Sequence, residues 1–464
     1  MTLIHLIVLF LCGFGLMNLI SPKFGLLEKI GFSFPLAHGL VTLLMLPYDL
    51  LGIPITLTSL YIPQLLVIAF VGGWLFYKQQ LPQAVRIQDW NKAKSFGFLS
   101  INLPWIFLMS ILGYLLYVVI AKAMFWPTIS FDSVAGYDFV GKMIAIEGKV
   151  NGSMFDPDLP FYSIRSGYPL YVPGGFGYAY LMGFDSSKIT TVLLILSTVV
   201  MYYALLLNYV KHTMAALFTT LFITTTEYIA MSALSLSNVP HTFLAVAAVV
   251  TIFIWMDKRD HRYFWLGVIF MALNVWARSD GIVFIAGTGL SLLLFAYQEK
   301  KWKELIIFGA VSGAAFMIWQ VYLSGTLGIT NDGVFVDHLF WDGEKFDRMT
   351  DLIWRVITNT QFYGVAMIVI PIGILANFRT IHKQHYHLLI AILVSWLAYT
   401  ALYYQMDNGG ENFGYSLKSM INSSYKRGMF AIIGVLYFYV GISPMTQKLS
   451  QLIIEPGNPF KPKQ

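Results

Sequence analysis

Within a largely apolar chain, the stretch SFDSVAGYDFVGKMIAIEGKV (130–150) gathers Asp132, Asp138, Lys142 and Glu147. It begins four residues after the last residue of the apolar run LPWIFLMSILGYLLYVVIAKAMFW. A carboxylate held where hydrocarbon meets water can take a proton from a hydroxyl group. Asp132 is placed for that role, a few residues beyond the end of the run. Asp138, Lys142 and Glu147 suit a plain solvated helix face. Fixed positive charge can stabilise a departing anion, and Arg165, Arg278, Lys426 and Arg427 can supply it. In NSSYKRGMFAIIGVLYFYVG the pair Lys426-Arg427 opens the last apolar run. A lipid phosphate suits it, whether as a substrate group or as an ordinary headgroup contact.

Other polar residues stand at the ends of apolar runs. NVWARSDGIVFIAG places Arg278 and Asp280 between two runs with no proper loop. Charges this close to hydrocarbon are costly and are paired or functional; the simpler reading is an Arg278–Asp280 pair capping a tight hairpin. TTTEYIAMSALSLSNVPHTF brings Glu227, Asn238 and His241 to another such end. Asn238 and Pro240 also make a good helix start, and His241 could be a satisfied interfacial histidine. Tyr137, Lys142, Tyr168 and Tyr425 complete the candidates for contact with a substrate.

The elements that must carry these residues follow from composition. The 464 residues are 57% hydrophobic and 12% charged, with mean hydropathy +0.66. A soluble domain would carry about twice that charge fraction. Runs of about 18–23 apolar residues recur along the chain, each able to cross roughly 30 Å of hydrocarbon. The pattern predicts an all-α, polytopic transmembrane helical bundle, and the short alternating strands of a β-barrel are absent. About 13 spans are expected: 3–21, 31–48, 54–77, 98–121, 188–208, 213–231, 238–256, 262–277, 281–297, 304–324, 357–377, 386–404 and 428–446. The N-terminal run lacks a basic leader and reads as the first span. The segment 168–184 is apolar but interrupted by PGGFG, and reads as juxtamembrane or re-entrant. Within 137–149, Phe139, Met143 and Ile146 are expected to share the apolar face of a short amphipathic helix.

With these spans, 18 of the 30 Lys and Arg fall on one side, against seven of the 24 Asp and Glu. The positive-inside rule makes that side cytoplasmic. The opposite side carries long loops at 122–187, 325–356 and 405–427, and long loops carry function. The expected organisation is an N-terminal module of about three spans (1–97), a transmembrane core (98–446) and a cytoplasmic tail (447–464). The lone Cys12 excludes an internal disulfide. Basic charge here reports topology and does not imply nucleic acid. Walker A, GxSxG and HExxH motifs are absent. TNDGVFVDHLFWDGEKFD hints at calcium ligands but lacks EF-hand spacing, and Phe340 and Trp341 within it could stack on a sugar ring.

Several of these pieces have a familiar order. FDSVAGYDFVGKMIAIEGKV in the first large outer loop, GYPLYVPGGFGYAYLMG, SNVPHTF, ARSDG and SYKRGMF together resemble the C-type (GT-C) membrane glycosyltransferases. That superfamily includes the protein O-mannosyltransferases, the aminoarabinose transferases and the bacterial lipopolysaccharide-core transferases. The resemblance covers roughly residues 98–446. It implies transfer of a sugar from a polyprenyl-phosphate donor to a glycan, lipid or protein acceptor on the outer face, with Asp132 in the place of the family's catalytic Asp and Asp138 nearest to the second acid that many members carry in the same loop. The chain departs from the family at Asn238, where many members carry an Asp. One carboxylate implies one displacement, hence inversion at the anomeric carbon. No cofactor is expected, and a divalent metal is not favoured. A bacterial plasma membrane is the expected location. The rival readings are a transporter or lipid-linked-oligosaccharide flippase, which would hold its polar groups at mid-membrane on broken helices, and an O-antigen ligase or polymerase.

Overall fold

The computed structural model describes residues 2–80, 102–160, 162, 167–329, 341–380, 385–406 and 416–453. Every regular element among them is helical. The long helices are α1 (Thr2–Ile20), α2 (Leu26–Leu50), α3 (Leu57–Tyr77) and α4 (Leu103–Phe125). Two short helices follow, α5 (Asp138–Glu147) and α6 (Tyr171–Leu181), then α7 (Lys188–Leu206). Next come α8 (His212–Ile223), α9 (Thr226–Met231), α10 (Asn238–Lys258), α11 (His261–Ala277), α12 (Ile282–Glu299) and α13 (Trp302–Gly325). The chain ends with α14 (Gly343–Ile357), α15 (Thr360–Tyr363), α16 (Ala366–Ala376), α17 (Tyr386–Gln405), α18 (Leu417–Met420), α19 (Lys426–Gly441) and α20 (Pro444–Leu452).

Among the described residues nine helices are long and apolar enough to cross a membrane: α1, α2, α3, α4, α7, α10, α12, α13 and α17. Leu417–Gly441 and Pro444–Leu452, bent by 57°, make a tenth if taken as one span. Three expected spans have another form. The run 213–231 is divided between α8 and α9 at Thr224-Thr225, where Thr219, Thr220 and Thr224 turn their hydroxyls back onto carbonyls one helical turn earlier. Such bonds compete with the backbone ladder and bend helices. The run 357–377 is divided between α15 and α16, with Pro371 inside the latter. The run 262–277 is one helix of 17 residues, α11.

Helix α10 is the hub. Its apolar window is wholly buried, and it packs against α7, α11, α12, α17 and α19. Ala245, Ala247 and Ala248 let its neighbours approach closely, as small residues do between membrane helices. Helix α2, part of the expected N-terminal module, is 72% buried over its apolar window and packs on α6 and α7, whereas α3 and α4 are mostly exposed along their lengths.

Helix α6 holds the PGGFG run and dips into the bundle. Tyr171 to Ala179 are buried without interruption. The Tyr171 carbonyl meets His38 Nε2 at 2.9 Å, and the Tyr171 hydroxyl donates to the Pro35 carbonyl at 3.2 Å, both near the middle of α2. Glycines that break helices in water here permit contact. A Cβ on Gly175 would lie 1.8 Å from the His38 ring, and one on Gly141 of α5 would lie 2.6 Å from the Pro173 carbonyl oxygen. That close approach also sets the face α5 buries. Val140, Gly141, Met143 and Ile144 point inward, while Phe139 is half-buried and Ile146 is exposed. The expected apolar face of Phe139, Met143 and Ile146 is therefore rotated toward the glycine.

Polar contacts gather at two ends. At one, Tyr209 donates to Asp257 (2.9 Å), Lys258 donates to the Asn208 carbonyl (2.5 Å), Arg259 pairs with Glu299 (2.8 Å) and Tyr263 bonds Glu28. At the other, Asp49 accepts from the Val150 and Asn151 amides (2.6 and 3.0 Å) and from the Tyr322 hydroxyl (2.6 Å). The two groups match the two sides that the charge count separates.

Two measurements check this arrangement. Lys149→Cys should react with a membrane-impermeant maleimide from one side of a sealed vesicle and Lys303→Cys from the other; labelling of both from one side would contradict the helix alternation. Gly175→Ala should destabilise the protein by about 3 kcal/mol through overpacking, read as a lowered thermal midpoint in detergent, and His38→Ala in the same chain should recover part of the loss.

Candidate functional site

The site is assembled from three distant parts of the chain at the Asp49 end of the bundle. Asp132 immediately precedes a π-helical turn, Ser133–Tyr137, in which the Asp138 amide bonds back to the Ser133 carbonyl. Gly136 leaves helical geometry there, at φ −137° and ψ −108°. A second π-helical turn, Ile421–Tyr425, immediately precedes Lys426 and Arg427. Wide turns of this kind are rare and recur at functional sites. Ser133 is fixed by donating to the Ser235 carbonyl (2.7 Å), which ties the first turn to the start of α10.

Across this end, Arg427 Nη1 meets Asp132 Oδ2 at 3.0 Å, joining residues 295 positions apart. Arg427 Nε donates to the Ser423 carbonyl at 2.8 Å, inside the second wide turn. Side-chain exposures of 18% for Arg427 and 21% for Asp132 leave the pair reachable. Lys426 turns elsewhere: Nζ meets Glu227 Oε1 at 2.6 Å and lies 4.2 Å from the centre of the Phe362 ring. Consecutive helical residues point about 100° apart, so the two cations serve different neighbourhoods.

Arg278 and Asp280 form a two-point pair, Nε to Oδ1 at 2.9 Å and Nη2 to Oδ2 at 2.5 Å. The hairpin reading of ARSDG is thus realised, with the Gly281 amide closing onto the Arg278 carbonyl. The same guanidinium also faces Tyr137, Tyr399 and Tyr403 electrostatically, and Tyr403 in turn faces Arg427. Arg278 and Arg427 therefore both lie within electrostatic reach of Tyr403. Tyr137 is buried and stacks on Tyr168 at 4.1 Å between ring centres. Burial pushes the Tyr137 phenol well above its ordinary range, with Tyr168 adding to the shift, so it stays a neutral hydrogen-bonding group.

The remaining candidates divide. Asp138 is committed to structure, accepting from Tyr180 (2.8 Å) and from Ser187. Glu147 binds the Ser153 amide at 2.9 Å and closes a turn. Lys142 is exposed on α5. Asn238 and His241 are buried on the first turns of α10; His241 lies within electrostatic reach of the Arg278–Asp280 pair and packs edge-on against Phe284 at 5.5 Å. Tyr425 is buried and held by Trp396 (3.0 Å) and Thr400 (2.9 Å), so it supports the second wide turn. Arg165 and Phe340 lie outside the described residues, as does most of the calcium-like stretch. Among the described residues no group of three or more His, Cys, Asp or Glu could hold a metal ion.

Tyr399, Tyr403 and Asp49 were not among the sequence candidates. The tyrosines had a signal: their spacing of four puts both on one face at the end of a span. Asp49 had none, because its partners Val150 and Tyr322 come from distant loops and helices.

No family model, curated protein or solved structure matches the chain.

Each mostly buried cation here has a carboxylate, and removing one partner of such a pair leaves an uncompensated charge. Glu227→Gln should therefore cost about 3 kcal/mol of stability. The double change Glu227→Gln with Lys426→Met should recover most of it. Thermal unfolding of the purified variants reads both.

Proposed function

We propose that the chain is an integral membrane glycosyltransferase that moves a sugar from a polyprenyl-phosphate donor to a hydroxyl acceptor. The observation that carries this reading is the meeting of Asp132 with Arg427, beside Arg278, at one end of an apolar bundle. A base and fixed cations then share a boundary where a lipid phosphate and a water-borne hydroxyl can meet. The GT-C resemblance and the sorting of polar contacts into two ends favour the same reading. So does the positive-inside rule, which favours an outward-facing site; a bacterial plasma membrane, with the site toward the periplasm, and about 13 crossings complete the reading.

In the reaction, Asp132 removes the proton of the acceptor hydroxyl as its oxygen attacks the anomeric carbon. The bond from that carbon to the phosphate oxygen breaks, and the prenyl phosphate leaves with the added negative charge. Arg427 and Arg278 stabilise that charge as it develops. The proton on Asp132 passes to solvent or to the departing phosphate. A phosphate is a good leaving group, so no strong general acid is needed. One displacement inverts the anomeric centre. Tyr168, half-buried over Tyr137, offers its outer ring face to the sugar, while the prenyl tail stays among the helices.

A second reading, a transporter or flippase, draws on α6. That helix reaches the middle of α2, and broken helices at mid-membrane are a transporter feature.

Mass spectrometry of envelope glycolipids and polysaccharides separates the two. Cells lacking the protein should show a glycan short by one sugar. Wild type should restore it, and Asp132→Asn should restore about a hundredth of the rate or less. Full restoration by a well-inserted Asp132→Asn variant would remove Asp132 as the base and favour transport.

A further inference from the structure

We infer that α20 is a foot set in the membrane surface. Its outward row of Met445, Leu449 and Leu452 lies in the leaflet at the end away from Asp132, where Lys448 and Arg379 hold the phosphates of acidic phospholipids. The inference is independent of the glycosyltransferase reading, and the positive-inside rule makes that leaflet the cytoplasmic one.

The helix begins where α19 stops. Ser443 and Pro444 supply a helix start, with the Ser443 hydroxyl accepting from the Thr446 amide at 3.5 Å. The axis turns by 57° there, so α20 leaves the line of the last span. Its hydroxyl residues are buried and satisfied. Thr446 donates to the Val440 carbonyl (2.8 Å), and Ser450 accepts from the Lys211 amide (2.8 Å). Lys211 Nζ donates to the Ile453 carbonyl at 2.9 Å, which fixes the far end. The apolar residues lie on the other side. Met445, Leu449 and Leu452, spaced i, i+4 and i+7, are 45, 41 and 76% exposed. A surface helix in water turns its apolar stripe to the core. Helix α20 does the reverse, so water is not what its outer side meets.

The neighbouring element says what that side does meet. On α16, Ile368, Ile372 and Leu375 form an exposed row with the same spacing. AMIVIPIGILA, the whole of α16, has no polar side chain, so this row belongs in hydrocarbon. Phe378, just beyond it, is exposed as well. The Met445 amide donates to Asn377 Oδ1 at 3.1 Å, which sets the start of the α20 row next to the end of α16. A lipid-facing stripe thus runs from hydrocarbon onto the surface helix. Interfacial helices sink an apolar face of this kind to the boundary of headgroups and acyl chains.

Charge selects the lipid. At this end Arg259 pairs with Glu299 and Arg262 with Asp260. Lys448 and Arg379 are exposed, and among the described residues neither pairs with a carboxylate. Lys448 is three residues from Met445 and four from Leu452, hence at the edge of the row. Arg379 is two residues past Asn377. Cations on the rim of an apolar face rest their stems on it and meet acidic headgroups.

The test uses the full chain, with Cys12→Ala throughout and a bimane on Leu449→Cys, in nanodiscs of phosphatidylcholine and phosphatidylglycerol. A nitroxide near the top of the acyl chain should quench the bimane, and aqueous iodide should not; iodide should quench the same label on Lys303→Cys. With the nitroxide on phosphatidylglycerol, the mole fraction giving half-maximal quenching should rise about fivefold in Lys448→Gln and in Arg379→Gln. It should not change when phosphatidylcholine carries the nitroxide. If Leu449→Cys unfolds in a thermal assay, Leu452→Cys makes the same comparison. Quenching by iodide places the row in water and overturns the inference. Shielding from both quenchers means that protein covers the row, either residues 454–464 or a second copy, and overturns it too. Lipid quenching with an unchanged mole fraction in both charge variants overturns the assignment to acidic lipid. None of these outcomes touches the transferase reading, which the glycan analysis decides.

Discussion

Charge at the edge of hydrocarbon must be neutralised by the protein itself, and the architecture follows from meeting that demand. Asp132 with Arg427 and Glu227 with Lys426 draw the segment before α5 and the first turn of α9 to the start of α19, while Arg278 with Asp280 closes the α11–α12 turn. Pairing in such surroundings does not guarantee net stability, since desolvation offsets much of the attraction. What it does is specify. The Asp132–Arg427 contact forms only if everything between them is packed in register. A chain that buries apolar surface on nearly every helix needs a few such contacts to select one arrangement among many greasy alternatives.

Within that frame, α6 positions the site from below. Its glycines let it lie against α2 and α5 at distances no side chain would allow. Helix α5 is thereby fixed beneath the first wide turn, and Asp138 ties α5 to Tyr180 and Ser187. The tyrosines of α17 back the other wall, with Tyr399 stacked on Tyr425 at 5.2 Å. Asp132 is held by geometry set in regions it never touches.

Much of this could be read from the sequence because hydrocarbon imposes a simple rule, an unbroken apolar run per crossing. The nine long helices obey it. The rule misleads where local chemistry intervenes: threonine hydroxyls divide 213–231, and Pro371 lies in the short helix of 357–377. The PGGFG run, too short for a crossing, is nonetheless helical, since glycines that would interrupt a water-exposed helix become contact points in a buried one. Asp132, Arg278, Asp280, Glu227, Lys426 and Arg427 were legible as singular charges. The pairing of Arg278 with Asp280, two positions apart, was legible as well; that of Asp132 with Arg427 was not, because a partner 295 positions away leaves no mark on local pattern. Asp138 and Lys142 had the same local appearance as Asp132, and only packing distinguishes the clamp and the exposed lysine from the paired acid.

The seat of α6 also bears on biosynthesis. His38 and Tyr171, which meet at the middle of α2, are 133 positions apart. At a synthesis rate of about 5–20 residues per second, α2 waits roughly 7–27 seconds in the membrane before its partner emerges. Throughout that interval His38 faces lipid, or a transient occupant such as the insertion machinery. The glycine face of α6 is thus a late keystone, and the nascent chain depends on its surroundings to shelter α2 until that helix arrives.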